Sequence, residues 1–335
     1  MDVVISALRR RNHAVPLSVA LLGGSLSLVA SYLSPIIGWT IVGFTFFWFY
    51  IELMTQWSFR APASRKPPID DPSWNPMLLS IEGQEIMFYH KNSDPKSPTV
   101  VISHGWTSGA MRMTGRAQPF LERGWNVVMF DLPSHGGSSR LTKWTAEESC
   151  SLVIKALNAF CGQQDGLFEG PVAYVGHSMG CFIGLRLSKR RTELAFGERW
   201  VGWVFESPMT GYTEIFDETC RLLRVPHLFR RLLLRNTIRH FNALNSATTR
   251  LTSLNEADMP VWGNPQELLL LIQASPDERL GDAHHVRLTN EIKNQGREHQ
   301  LTAHYLTSLS HTGSHVHEER ENLIGQWLDA HSSSF

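Results

Sequence analysis

The feature that most constrains the fold of this chain is a regular alternation of short apolar segments with longer amphipathic ones. A hairpin with a turn at Gly83 opens the pattern, and six apolar segments follow it. Apolar strands that alternate with helices indicate a mainly parallel sheet with helices on both faces, which is an α/β fold. The predicted strands are Met77–Ile81, Glu85–Tyr89, Thr99–Ser103, Asn126–Phe130, Val172–Val175, Trp200–Phe205, Leu268–Gln273 and Leu301–Leu306. The predicted helices are Met113–Glu122, Thr145–Phe160, Cys181–Lys189, Ala283–Lys293 and Glu319–Ala330.

A second constraint is an apolar stretch near the start, where only His13 interrupts an uncharged run between Arg11 and Glu52. One continuous helix of about 40 residues would be about 60 Å long, twice the ~30 Å hydrocarbon core of a bilayer. Pro35 offers a break, so we expect a hairpin of two transmembrane helices, residues 17–33 and 36–54. The aromatic run that ends in Tyr50 is typical of a membrane interface.

Positive charges flank this stretch on both sides, while its central turn carries none. By the positive-inside rule, a hairpin then has both ends and the following domain in the cytoplasm. Two alternatives stay open: a signal peptide within residues 1–33, or a single span with the other helix on the surface. The flanking charges are Arg9, Arg10 and Arg11 before the stretch and Arg60, Arg65 and Lys66 after it.

These patterns divide the chain into a membrane anchor (residues 1–57), a linker rich in proline (58–76) and a catalytic domain (77–335). A helix-rich insertion, about 210–260, interrupts the domain between two strands, and we expect it to form a cap. Apolar residues and arginines alternate in this cap, which suits a solvated face or a membrane-facing one. The arginines are Arg221, Arg224, Arg230, Arg231, Arg235 and Arg239.

Composition narrows the class of function. Lys plus Arg equals Asp plus Glu, at 31 each, so no basic field indicates nucleic-acid binding. The four cysteines form no CxxC pair, which favours reduced thiols over a zinc site or a disulfide framework. No glycine-rich phosphate loop or nucleotide fingerprint is present, and we expect no cofactor. The oligomeric state is left open.

The sequence Gly176-His177-Ser178-Met179-Gly180 is a G-x-S-x-G motif between a predicted strand and a predicted helix. A serine at such a tight turn is held in strained geometry with its hydroxyl above the sheet. Flanking glycines avoid collisions with the neighbouring strand and helix. The motif therefore predicts that Ser178 is a catalytic nucleophile.

Together with three further landmarks, this motif makes the chain resemble the α/β-hydrolase superfamily, in particular its lysophospholipase-like and esterase-like branch. The landmarks are His104-Gly105 after a strand, Asp131-x-Pro-x-His135-Gly136-x-Ser138, and a late acid and histidine. The resemblance extends from about Met77 to Leu328. It implies an α/β-hydrolase fold with a helical cap and a Ser-His-Asp catalytic triad.

The resemblance also assigns roles to individual residues. Ser178 would attack an acyl carbonyl, and the backbone N–H groups of Met179 and Trp106 would form the oxyanion hole. His135 and His177 match positions that are usually structural in the family.

The acid of the triad is expected at Asp277, on the loop after the strand Leu268–Gln273, although Ala274 stands where the family usually has glycine. Asp282 is the alternative. The base is expected at His311, by the family's spacing to the last helix, with His315 as the alternative. His317 completes a cluster of three histidines, but without nearby cysteines or an HExxH pattern we expect no metal site.

We therefore expect a membrane-anchored serine hydrolase that cleaves a carboxylic ester, such as an acyl lipid, through an acyl-enzyme. A small-molecule or lipid ester would be its substrate, and membrane lipids would contact its N-terminal segment. An acyltransferase or a peptidase with the same triad is an alternative. A catalytically inactive scaffold protein is another.

Overall fold

The computed structural model describes residue 11 and residues 13–62, 65–164, 166–245 and 248–335. Arg9 and Arg10, which contribute to the predicted topology, lie outside the described residues. The chain forms two compact units. The first contains the chain up to Ala61, with Leu141–Glu148 and Phe216–Leu254, and the second contains Pro62–Arg140, Ser149–Ile215 and Asn255–Phe335.

The second unit is built on one eight-stranded sheet in the order β1-β2-β4-β3-β5-β6-β7-β8. Strands β1 and β2 form an antiparallel hairpin, β2 runs antiparallel to β4, and every other neighbouring pair is parallel. The strands are β1 (Asn75–Ile81), β2 (Gln84–Lys91), β3 (Thr99–Ser103), β4 (Asn126–Phe130), β5 (Val172–His177), β6 (Trp200–Glu206), β7 (Leu268–Ala274) and β8 (Leu301–Leu306).

Nine α-helices occur in the described residues, and the seven whose bounds were predicted agree with those bounds to within four residues at each end. The largest difference is at the second apolar helix, which was predicted to end at residue 54 and ends at Ser58. A 3-10 turn over Ala110–Met113 precedes the predicted helix Met113–Glu122. The helices are α1 (Ala14–Leu33), α2 (Pro35–Ser58), α3 (Thr114–Leu121), α4 (Ala146–Cys161), α5 (Met179–Lys189), α6 (Tyr212–Leu222), α7 (His227–Leu244), α8 (Ala283–Asn294) and α9 (Glu318–Ala330).

Helices cover both faces of the sheet. Successive residues of a strand point to opposite faces of a sheet, so the side chains of Tyr174 and Val175 in β5 lie on opposite faces. Val175 belongs to a core cluster with Phe120 of α3 and Trp327 of α9. Tyr174 lies instead against Gly184 of α5, where an added Cβ would come within 2.5 Å of its ring. The predicted α/β fold, with a mainly parallel sheet between helical layers, is confirmed.

The segment predicted as a linker lies against the second unit where the structure describes it. No helix or strand occurs in residues 65–74, but Trp74 is buried in the main core cluster. Lys91 of β2 lies over the Trp74 ring at 4.6 Å and forms an ion pair with Asp71 at 3.7 Å. Arg65 donates to the carbonyl oxygen of Ser138.

The first unit contains the hairpin of α1 and α2. Both helices are long and apolar enough to cross a membrane, judged by length and composition. They break at Pro35, as expected, and pack along each other. Most of the segment predicted as a cap belongs to this unit, because α7 packs on α2. Their shared core contains Ile51, Met54, Cys220, Val225 and Leu233.

A buried ion pair links α3 to the end of β6. The Arg116 guanidinium donates from Nε and Nη2 to the two carboxylate oxygens of Glu206, at 2.6 and 2.5 Å. Arg320 of α9 lies 3.6 Å from the same carboxylate. Burial favours the neutral acid, but the two arginines outweigh it and hold the pKa of Glu206 far below its usual value.

We expect Arg116→Met to lower the free energy of unfolding by about 3 kcal/mol, because it leaves a buried carboxylate without its main partner. Arg123→Met is the matched control, since Arg123 makes the same bidentate contact with a carboxylate, that of the exposed Asp329. Denaturant titration of the full chain in detergent, followed by tryptophan fluorescence, measures both. Equal losses for the two variants would contradict the prediction.

Candidate active site

Ser178 lies at the turn between β5 and α5 and has an unusual backbone conformation, with φ 53° and ψ −114°. The glycines of the motif are required by close contacts. A Cβ on Gly176 would come within 2.7 Å of the Cys181 nitrogen, and one on Gly180 within 2.3 Å of the Ser103 oxygen. The turn therefore fits only with glycine at both positions, and it projects the Ser178 side chain from the carboxyl edge of the sheet.

Three of the predicted site residues form one hydrogen-bonded row. His311 lies on the loop after β8, and its Nε2 is 3.0 Å from Ser178 Oγ. The other ring nitrogen, Nδ1, is 2.9 Å from Asp277 Oδ2. Ser178 is 8% exposed, and His311 and Asp277 are each 6% exposed, so the three side chains are largely shielded from solvent.

The loop after β7 holds Asp277 as an ionised acceptor. Its Oδ1 accepts the backbone N–H groups of Arg279 and Leu280 at 3.0 and 2.8 Å, and Gln273 Nε2 donates to Oδ2 at 3.1 Å. Burial works to raise the pKa of Asp277. The hydrogen bonds, above all that with His311, outweigh it and lower the pKa to about 2. An ionised Asp277 favours the tautomer of His311 that carries its proton on Nδ1.

His177, the residue before the serine, supports the loop that carries His311. Its Nε2 donates to the backbone carbonyl of His311 at 2.9 Å. Burial lowers the pKa of His177 to about 3, so the ring is neutral and its single N–H serves this bond. This contact agrees with the structural role expected for His177.

The two residues expected to form an oxyanion hole are Met179, directly after the serine, and Trp106, after the end of β3. Met179 begins α5, so its N–H is at the helix N-terminus, where the helix dipole favours negative charge. Trp106 follows His104-Gly105 at the end of β3. His104 fixes the backbone there, since its Nδ1 donates to the Gly105 carbonyl at 2.8 Å and its Nε2 accepts the Leu132 N–H at 3.0 Å.

The second landmark motif supports the same loop. Asp131 accepts the backbone N–H groups of Ala110 and Gly137 at 2.7 and 2.9 Å. The His135 ring lies edge-on to Trp106, with 5.2 Å between the ring centroids. Burial lowers the pKa of His135 to about 3, so the ring is neutral. His135 thus contacts the Trp106 side chain from the interior, in line with its expected structural role.

The alternative site residues lie elsewhere. His315 Nε2 is 3.1 Å from the Thr114 hydroxyl, and the structure does not bring it to Ser178. His317 caps α9 and accepts the Arg320 N–H at 3.2 Å. Asp282 is exposed at the start of α8. Among the residues that the structure describes, no group of three or more metal-binding side chains occurs.

Glu206, Arg320 and Gln273 are supporting residues that the sequence reasoning missed. Glu206 accepts from Arg116, as described above, and its own backbone carbonyl accepts the Ser178 N–H at 3.0 Å. Arg320 donates to the carbonyls of Ser314 and His315, in the loop that follows His311. A signal did exist for two of them, because Glu206 and Gln273 are polar residues at the ends of otherwise apolar strands.

Known proteins resemble this chain in sequence and in fold. A model of the alpha/beta hydrolase family matches residues 100–320. The pimeloyl-[acyl-carrier protein] methyl ester esterase of Methylococcus capsulatus is 26% identical over 142 residues, which are 38% of this chain and 51% of that protein. The chain thus spans about half the length of that curated relative.

The structural neighbours show the same fold at low sequence identity. An esterase from Pyrococcus furiosus is similar with a TM-score of 0.54 and 16% identity, over 81% of this chain and 97% of that one. Mouse alpha/beta hydrolase domain-containing protein 10 is similar with a TM-score of 0.52 and 13% identity, over 76% and 97%. The family match covers well over half of the sequence. The chain therefore belongs to the alpha/beta hydrolase family.

Proposed function

We propose that this protein is a membrane-anchored serine hydrolase that cleaves a carboxylic ester through an acyl-enzyme on Ser178. The observation that carries the proposal is the continuous row of hydrogen bonds from Ser178 Oγ through His311 to Asp277. A nucleophile, a base and an acid that orients the base are the groups that acyl transfer requires.

In the first half of the reaction, His311 Nε2 accepts the Ser178 proton while Oγ attacks the ester carbonyl carbon. The oxygen of the tetrahedral intermediate takes the negative charge and accepts hydrogen bonds from the Met179 and Trp106 N–H groups. The intermediate then expels the alcohol, which receives the proton from His311. Asp277 stabilises the imidazolium while it exists.

In the second half, water replaces the alcohol. His311 removes a proton from the water, whose oxygen attacks the acyl carbon and releases the acid. The proton returns to Ser178 Oγ, and the enzyme is restored. These steps use only side chains, backbone N–H groups and water, so the proposed mechanism requires no cofactor.

An ester substrate is favoured by the curated relative, whose name describes a methyl ester esterase. The apolar hairpin favours an acyl lipid as the substrate class, because an anchored enzyme meets lipid esters at the bilayer surface. An acyltransferase would use the same acyl-enzyme with a different acceptor, and a peptidase the same triad with an amide. An inactive scaffold is the remaining alternative.

The proposed anchor is the hairpin of α1 and α2. At about 1.5 Å per residue, their 20 and 24 residues are about 30 and 36 Å long, which matches a bilayer core. The charges that flank the hairpin favour a cytoplasmic catalytic domain. Helix α2 also belongs to the core of the first unit, so removal of the hairpin would remove part of that core.

We expect a fluorophosphonate probe to label the wild-type chain and not Ser178→Ala, because the probe reacts only with an activated serine. Ser310→Ala is the control and should label like the wild type, since Ser310 contacts Gly313 rather than the triad. In-gel fluorescence measures both. A folded wild type that does not react would favour the scaffold alternative.

We expect His311→Ala to lower kcat/KM for a short-chain p-nitrophenyl ester by about 10³-fold or more, because it removes the base. His315→Ala removes only the contact with Thr114 and should change kcat/KM by less than about threefold. Steady-state kinetics in detergent measures both variants. Loss of turnover in His315→Ala alone would assign the base to that residue.

We expect the full-length chain to sediment with membranes and to stay there after alkaline carbonate extraction, because a transmembrane hairpin is held by the hydrocarbon core. Immunoblots of pellet and supernatant measure the distribution. A peripheral protein treated in parallel should be released. Recovery of the intact chain in the supernatant would contradict the anchor and leave the ester chemistry untouched.

A further inference from the structure

The segment 221–250 of the first unit has an unusual charge. It contains seven arginines and no aspartate or glutamate. The chain as a whole is neutral, so this concentration of positive charge is local. Arg221 pairs with Glu218 just before the segment, and the other arginines make the segment complementary to an anionic surface.

Helix α7 of this segment runs parallel to α2 of the hairpin. The Phe229 ring lies 4.8 Å from Phe47 and 6.5 Å from Tyr50. Further along both helices, Asn236 Nδ2 donates to Thr55 Oγ1 at 2.9 Å. Residue numbers increase together on the two helices, so the N-terminus of α7 points along α2 toward the apolar part of the hairpin.

This direction sets the depth of the turn between α6 and α7. Glu52 is the first acidic residue of α2, and Phe47 precedes it by five residues, or about 7 Å of helix. If α2 spans a bilayer and the acyl region ends near Glu52, the start of α7 beside Phe47 lies about 7 Å inside the boundary between headgroups and acyl chains. That is the depth at which interfacial helices bury their apolar residues.

The turn exposes large apolar side chains at this level. Leu222 is 71% exposed and Leu228 is 85% exposed. The turn is nevertheless held in place, because Cys220 before it and Val225 within it are buried in the core shared with α2. The backbone N–H of Val225 also donates to the Cys220 carbonyl at 2.8 Å. The leucines are therefore displayed by a fixed turn.

The arginines continue from the turn along one exposed face of α7. Leu228, Arg231, Arg235 and Arg239 are spaced by three and four residues, so they lie on the same side of the helix. The first of the four side chains is apolar and the other three are cations. A helix that runs from the acyl region into the headgroup region needs this order, with apolar residues first and cations after them.

We propose that the turn between α6 and α7, with the following face of α7, is a second membrane contact that binds anionic phospholipids. Leu222 and Leu228 enter the boundary of the acyl chains, and Arg231 and Arg235 bind lipid phosphate groups. This inference rests on the proposed membrane anchor and is independent of the chemistry at Ser178. Its partner is the lipid leaflet.

The test uses the full chain in nanodiscs, with an environment-sensitive fluorophore on Leu228→Cys. Cys161→Ser serves as the background, because Cys150, Cys181 and Cys220 are buried. In discs that contain phosphatidylserine, we expect a blue-shifted probe that is quenched by lipids with a nitroxide near the headgroup. The matched control is Arg239→Cys, on the same face about 16 Å further along α7, where quenching should be weak.

The charge is tested by Arg231→Gln with Arg235→Gln. We expect each substitution to weaken the interaction with phosphatidylserine about fivefold, and thus to raise the phosphatidylserine fraction that gives half-maximal quenching. Lys189→Gln with Lys293→Gln removes the same charge from α5 and α8 of the other unit, and it should leave the titration unchanged.

Four outcomes would overturn the inference. Equal quenching in discs of phosphatidylcholine alone would show insertion without recognition of anionic lipid. A blue-shifted probe that the nitroxide lipids do not quench would show that protein, rather than lipid, covers the turn. A chain that stays outside the discs would refute the anchor itself. A chain that enters the discs with a probe that is neither blue-shifted nor quenched would refute only the lipid contact of the turn.

Discussion

The hydrogen bond between Ser178 Oγ and His311 Nε2 depends on the whole sheet. It joins residues 133 positions apart, which the chain brings together only because β5 and β8 run in the same direction. The residues that follow parallel strands collect at one edge of the sheet, and Asp277 reaches the same edge after β7. A 3.0 Å contact therefore requires every intervening strand to keep its register.

Buried polar groups hold this edge in place. Glu206 connects the turn at Ser178 to α3 through Arg116, and Arg320 connects the loop after His311 to the same carboxylate. His177 supports that loop from the other side. Such groups cost desolvation energy, which their ion pairs and hydrogen bonds must offset. The catalytic geometry that we propose thus relies on a network that contains no reacting atom.

In the first unit, helix α2 is both a candidate membrane span and part of a folded core. Helix α2 is apolar enough to span a bilayer, yet its last turns contribute Ile51 and Met54 to a core with residues of the cap segment. If α2 spans the bilayer as proposed, this shared core fixes the cap segment relative to the membrane. For an enzyme on lipid esters, this arrangement would hold the cap segment at the bilayer surface where the substrate lies. The proposed lipid contact of α7 extends the same principle.

The sequence by itself determined the secondary structure, the family and the break at Pro35, because these depend on local patterns of apolar residues and on short motifs. The G-x-S-x-G motif could be recognised for the same reason, since its glycines and serine are neighbours in the chain. The choice between His311 and His315, in contrast, could not be made from local sequence patterns. Both histidines lie in one loop, and only packing decides that His311 faces Ser178 while His315 meets Thr114.

The supporting pair of Arg116 and Glu206 and the grouping of the cap segment with α2 were likewise beyond sequence reasoning. Residues 90 positions apart carry no sign of their contact in a single sequence. Local propensity acts between neighbours along the chain, whereas burial, partner choice and side-chain direction depend on which distant segments the fold brings together. For that reason the sequence named the candidate residues, and the tertiary structure decided which of them meet.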